Sequence, residues 1–171
     1  MLKIIGAILI CGGSAAMGLS ASARLSLRIR VMNAFANVLD LIHSEIVFLL
    51  TPLSDLLGKC ARSTPEPVNR FFEDCLAAYQ EKADLPFALA WSKTVKEAAY
   101  LELTGQERQI LLDLGNALGR YDAEEQGQII EHARRAMEGR MQAAERERAR
   151  LGKLYGSLGI ACGIAMVIVF I

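Results

Sequence analysis

The eighteen residues from Leu154 to Ile171 contain no charged side chain, and no other stretch restricts the fold as tightly. The run follows Lys153, is rich in Ile, Val, Ala and Gly, and has no proline. As a helix at roughly 1.5 Å per residue it reaches about 27 Å, close to the hydrocarbon thickness of a bilayer. A buried helix in a water-soluble protein is usually shorter and is followed by chain that covers it. The stretch 154–171 therefore reads as a C-terminal transmembrane helix. Within it Gly159 and Gly163 form a G-x-x-x-G, beside a second small-residue row of Ser157, Ala161 and Ala165, a pattern that lets another helix approach closely.

The N-terminus is nearly a mirror image. After Lys3, residues Ile4 to Ala23 are uncharged, but the second half is small rather than bulky. Two readings stay open. One is a secretory signal peptide, with an apolar run Ile4 to Ile10 and Ala21-Ser22-Ala23 as an A-x-A cleavage site. The other is a retained transmembrane helix over 1–23, which the basic flank Arg24, Arg28 and Arg30 favours, since such residues tend to hold their side of a span in the cytosol.

Between these ends lie residues 24–153, long enough for one core. They carry most of the charge of a 171-residue chain with equal numbers of acidic and basic side chains. That balance argues against nucleic acid as a partner. The four cysteines have no C-x-x-C spacing and no histidine nearby in metal-site register, so they read as isolated thiols rather than a redox or metal centre.

Periodicity makes this region helical throughout. Leu27, Val31, Phe35, Val38, Ile42, Ile46 and Leu49 recur at three and four, which predicts one helix from about Ile4 to Leu50. Thr51 as N-cap and Pro52 at the first helical position then start a short helix ending near Gly58, with 62–67 as a loop. A third helix is expected over Val68 to Gln80, and a fourth, capped by Asp84, over Pro86 to about Leu103. Thr104 and Glu107 form a T-x-x-E capping box for a fifth, in which Gly115 permits close packing and which Gly119 ends. Asp122 and Glu125 form a similar signal for a last helix with no proline before Ile171. No stretch alternates with period two, so no sheet is expected. The fold class is all-α: an antiparallel helical bundle with N- and C-terminal transmembrane helices. Between Arg140 and Lys153 five basic residues face two acidic ones, which reads first as a solvated helical face with positive-inside flanks and second as contact with anionic lipid head groups.

Chemistry-bearing patterns are scarce. His43 and His132 lack H-x-x-x-H or E-x-x-H partners, and no serine elbow or phosphate-cradling glycine loop occurs. No cofactor or metal site is expected. A membrane-bound enzyme working through Glu45, Asp122 or His132 is a weaker alternative, because Glu45 among Ile42, Ile46 and Leu49 reads more readily as a hydrogen-bonded polar residue at the bundle edge.

Several segments together resemble the stage III sporulation protein AB family. They are Met1 to Ala7, Ser44-Glu45-Ile46 with Thr51-Pro52-Leu53, Pro67-Val68, Leu114 to Asp122 with Gln126 and Ile130, and Lys153-Leu154 before Leu158-Gly159. The resemblance extends over nearly the whole chain in order. It implies a non-enzymatic membrane protein of endospore formers, made in the mother cell and placed in the membrane facing the forespore. It also implies similarity to the cytoplasmic helical domains of the type II secretion inner-membrane platform protein. Partners would be other stage III sporulation channel proteins, including a secretion-type ATPase, and membrane lipid. A platform of this kind would dock partners through Glu45, Thr51, Pro52, Leu53, Gly119, Tyr121 and Asp122, where the resemblance and the helix ends coincide. The alternative from the N-terminal reading is an exported, membrane-anchored interaction protein with a cleaved signal peptide.

Overall fold

Apolar residues at helical spacing need a partner surface, and the two longest helices supply it for each other. In the computed structural model, backbone is described for residues 2–81 and 86–170, and side chains for residues 20, 22–81 and 86–151. Helix α1 runs from Leu2 to Val47 and α6 from Ala123 to Phe170. They are antiparallel: Arg28 on α1 lies 3.8 Å from Glu147, and Asp40 lies 3.4 Å from Arg134. Nearer the turn, a Cβ on Gly127 would come within 2.9 Å of Val47 Cγ2. The missing side chain at Gly127 is what lets the two helices close there.

Four short helices connect the long ones in sequence and pack alongside this hairpin: α2 (Leu53–Ser63), α3 (Val68–Glu81), α4 (Phe87–Glu97) and α5 (Gly105–Ala117). A 3-10 turn, Ala99–Leu101, joins α4 to the α5 approach. Among the described residues there is no strand. The core centres on Trp91, which meets Phe71 edge-on at 5.1 Å and lies 5.7 Å from Phe87, while Phe35 of α1 reaches Phe71 at 5.4 Å. Trp91 Nε1 donates to the Leu111 carbonyl at 2.6 Å, so the indole is satisfied as well as buried. Beneath it Gly115 does what its place in the sequence suggested: a Cβ there would land on the Trp91 ring.

Several boundaries differ from the sequence expectation, each for a local reason. Helix α1 stops at Val47, so Leu49, assigned to the buried stripe, is exposed instead. Thr51 does not cap α2. Its hydroxyl is engaged elsewhere, Pro52 is the N-cap, and the first helical residue is Leu53. Helix α2 passes through Gly58 and ends at Ser63, because burial of Leu56, Leu57 and Cys60 outweighs about 1 kcal/mol of glycine cost. The stop comes at Thr64, which is extended as a residue before proline prefers to be. Helix α4 ends six residues before Leu103, and Glu102 adopts a left-handed φ of 53°. That break turns Leu101 and Leu103 inward, while Leu89, in the first turn of α4, is exposed. Asp84, the expected cap, lies outside the described residues.

Among the described residues no helix is long and apolar enough to cross a membrane. Residues 4–23 belong to α1 and 154–170 to α6, but the expectation that the two uncharged runs span a membrane, and with it the packing assigned to Gly159 and Gly163, falls almost wholly outside the residues whose side chains are described.

Candidate functional site

The turn at the end of α1 and the turn before α6 meet at one end of the bundle. Leu53, just after the first turn, packs against the second: a Cβ on Gly119 would sit 3.0 Å from Leu53 Cδ1. Val47 and Gly127 close the other side of the same corner. Every residue named from sequence as a docking candidate in the described part of the chain therefore falls at this tip.

The first turn is built around Glu45, which is buried to 6% exposure. Its carboxylate accepts from Thr51 Oγ1 at 2.5 Å and from Lys59 Nζ at 2.6 Å. The Lys59 ammonium, with the Thr51 hydroxyl, holds the Glu45 carboxyl below its ordinary range. Glu45 is thus a bolt joining α1, the turn and α2, and both its donors are accounted for by that role. The backbone does the rest. Thr51 N–H donates to Glu45 O at 3.0 Å, six residues back, and Leu50 takes a left-handed φ of 50°. This is a helix end of the kind glycine normally occupies. A leucine there costs on the order of 1–2 kcal/mol.

The second turn is held by Gln126, whose Oε1 accepts from Gly119 N–H at 3.1 Å while its Nε2 donates to Tyr121 O at 2.6 Å. Gly119 has φ 77°, which terminates α5 as its sequence position implied. Asp122 caps α6 by accepting from Glu125 N–H at 2.8 Å, and Tyr121 is left 42% exposed.

Sequence reasoning missed what these two turns present. Phe48, Leu49 and Leu50 are 75%, 63% and 73% exposed, three consecutive large apolar side chains in water. The signal was available: Val47 to Leu50 is an unbroken apolar run directly before Thr51-Pro52, more than one face of a helix end can bury. Lys59 was also missed, as was the bridging role of Gln126, because each acts across a turn that periodicity does not reveal.

At the other end of the described bundle the T-x-x-E box over Thr104 and Glu107 is formed, with Thr104 N–H donating to Glu107 Oε2 at 2.8 Å. The same carboxylate receives Arg28 Nε at 2.9 Å and Nη2 at 2.5 Å, with the Glu107 side chain fully buried. Burial by itself would raise the Glu107 carboxyl, but the Arg28 and Thr104 hydrogen bonds outweigh it and keep the group below its usual range. This pair ties α1 to α5. Glu45, Asp122 and His132 do not form a shared cluster of catalytic type: Glu45 is ion-paired, Asp122 is a cap, and His132 is an exposed residue of α6. Burial pushes the Cys60 and Cys75 thiols up to about 12, so both stay protonated at neutral pH. Among the described residues no group of three or more His, Cys, Asp or Glu side chains is placed to hold a metal.

The fold so assembled is a helical-bundle protein built on a long antiparallel hairpin. The chain belongs to the stage III sporulation protein AB family, whose description matches residues 3–171. It is 25% identical over 169 residues to stage III sporulation protein AB of Bacillus subtilis (strain 168), covering 98% of both chains. Its fold is similar to a solved structure of stage III sporulation protein AB, with a TM-score of 0.66 and 23% identity, covering 72% of this chain and 98% of that one. Membership places the chain among sporulation proteins and outside known enzyme families.

Proposed function

We propose that this protein is a membrane-anchored platform of the sporulation channel between mother cell and forespore, held in the mother-cell membrane by the apolar runs 4–23 and 154–171. Its bundle stands in the cytosol and docks a secretion-type ATPase and other channel proteins. The observation that carries this reading is the antiparallel pairing of α1 and α6. Each of the two paired helices contains one of the apolar runs, so both runs leave the bundle at the same end. The opposite end, with the exposed Phe48 to Leu50 turn, then projects about 35 Å from the bilayer at ~1.5 Å per residue over residues 24–47. The basic side chains Arg24, Arg30, Arg148, Arg150 and Lys153 border the apolar runs, as cytosolic flanks beside anionic lipid do.

Deleting the gene in its host tests the reading. Loss of heat-resistant spores, restored by the full chain but not by a chain ending at Gly152, is the expected result. Normal sporulation without the gene would overturn it. Mass spectrometry of the mature N-terminus separates this reading from an exported protein, for which the chain would begin at Arg24.

A further inference from the structure

Resting on the platform reading above, we infer that the tip formed by Phe48, Leu49, Leu50 and Tyr121 is a docking surface for a basic amphipathic helix of a partner protein. Isolated exposed apolar residues are ordinary, but three in sequence, with exposed Tyr121 on the turn that Leu53 packs against, mark an interface. The patch is also held rigidly. Phe48 N–H donates to Ser44 O at 3.1 Å, Thr51 N–H to Glu45 O at 3.0 Å, and Glu45 is clamped by Thr51 and Lys59. Leu50 occupies a left-handed conformation that glycine would fill without strain. A turn with no task would carry polar residues here and a glycine at position 50.

Charge selects the occupant. Val47 packs beside Gly127 and Leu53 beside Gly119, so the apolar turn is bracketed by the chain that carries exposed Asp122, Glu124 and Glu125, with exposed Asp55 two residues past Leu53. Arg120 is an exposed base of that corner, Lys59 is engaged by Glu45, and the His43 ring lies edge-on to Phe48 at 6.1 Å. An apolar centre with an acidic border complements a helix with an apolar stripe flanked by Lys or Arg. A second copy of the chain would bring two acidic borders together, and an anionic bilayer would repel the same carboxylates.

The test uses the full chain in phosphatidylcholine nanodiscs. Two fluorescein-labelled helical peptides share one leucine stripe, with Lys on the polar face of the first and Glu on that of the second. The Leu/Lys peptide is expected to bind saturably and more weakly as salt rises. A Phe48→Ser/Leu49→Ser variant is expected to weaken it about tenfold or more with an unchanged melting temperature. Leu89→Ser, which removes an exposed leucine on α4, is expected to leave binding as it was. Equal binding of the Leu/Glu peptide, wild-type affinity in the double variant, self-association through the tip, or adhesion of the tip to phosphatidylglycerol vesicles would each overturn the inference. Spore counts keep its failure distinct from that of the platform reading. If gene deletion blocks sporulation while the double variant supports it fully, only the docking surface falls; if deletion is silent, the platform falls.

Discussion

Substituting alanine for Gly115 tests the packing logic of the core at one atom. The added Cβ would meet the Trp91 ring at Cδ1, Cγ and Nε1. The indole has nowhere to go. It is edge-on to Phe71 at 5.1 Å, is flanked by Phe72 and Phe87, and is tied to Leu111 O by a 2.6 Å hydrogen bond. Overpacking of this kind costs about 1–3 kcal/mol. Displacing the ring also strands the buried indole N–H, which adds about 1–3 kcal/mol. Helix propensity returns less than about 1 kcal/mol. The net loss is roughly 3 kcal/mol, and at about 2–4 °C per kcal/mol for a chain of this size Tm falls by about 10 °C. Gly139→Ala is the control, because nothing lies within 4 Å of its Cβ. The same substitution there is expected to raise Tm slightly. Thermal melts followed by circular dichroism decide it, with near-UV signal from Trp91 reporting the ring. If Gly115→Ala melts within a degree or two of wild type, the assignment of Trp91 as a wedged core residue is refuted.

Four further outcomes follow from named residues. Glu107→Ala leaves Arg28 partly buried with only the more distant, exposed Glu147 beside it and is expected to cost roughly 3 kcal/mol in denaturant unfolding. Because the folded Glu107 carboxyl lies below its ordinary 4.5, its stabilisation is complete above that value and is lost as pH falls through the depressed one. Glu107→Gln should therefore flatten the acid limb of a stability-versus-pH profile, and an unchanged limb would contradict the pairing. Leu50→Gly relieves the left-handed strain at a side chain that is 73% exposed, so Tm is expected to hold or rise by a degree or two while Leu/Lys peptide binding weakens; a clear drop in Tm would show that the leucine supports the fold. The thiols of Cys60 and Cys75, buried and pushed up to about 12, are expected to resist alkylation by iodoacetamide at pH 8 until the bundle is unfolded, as mass spectrometry of native and denatured samples would report.

Helix identity was legible because it rests on local quantities. The three-and-four spacing of Val31, Phe35, Val38 and Ile42, the box over Thr104 and Glu107, and the glycine stop at Gly119 all act within a turn or two of sequence. Where helices end against proline or a tertiary contact, the same signals misled. Thr51 is a good N-cap in isolation, yet the buried Glu45 claims its hydroxyl. Gly58 looks like a stop, but the buried faces on both sides of it carry the helix on to Ser63. Gly127 carries no sequence signal for its role, which is to let α6 close on Val47. The candidate tip was half visible. The residues chosen there from sequence prove to be its framework of bolts and caps, while the side chains it offers to solvent, Phe48 to Leu50, were counted partly as core. A stripe on a helical wheel cannot show that the helix has already ended at Val47.

The placement of the bundle relative to the membrane is tested most directly by labelling single cysteines at Glu66 and Gly105 in a cysteine-free chain, in intact cells. Both sites are exposed, and nothing lies within 4 Å of a Cβ at Gly105. A membrane-impermeant maleimide that reacts only after permeabilisation would put the bundle and its tip in the cytosol, within reach of a cytosolic ATPase, which is the result predicted. Reaction at either site in unpermeabilised cells would put the bundle outside and contradict the platform.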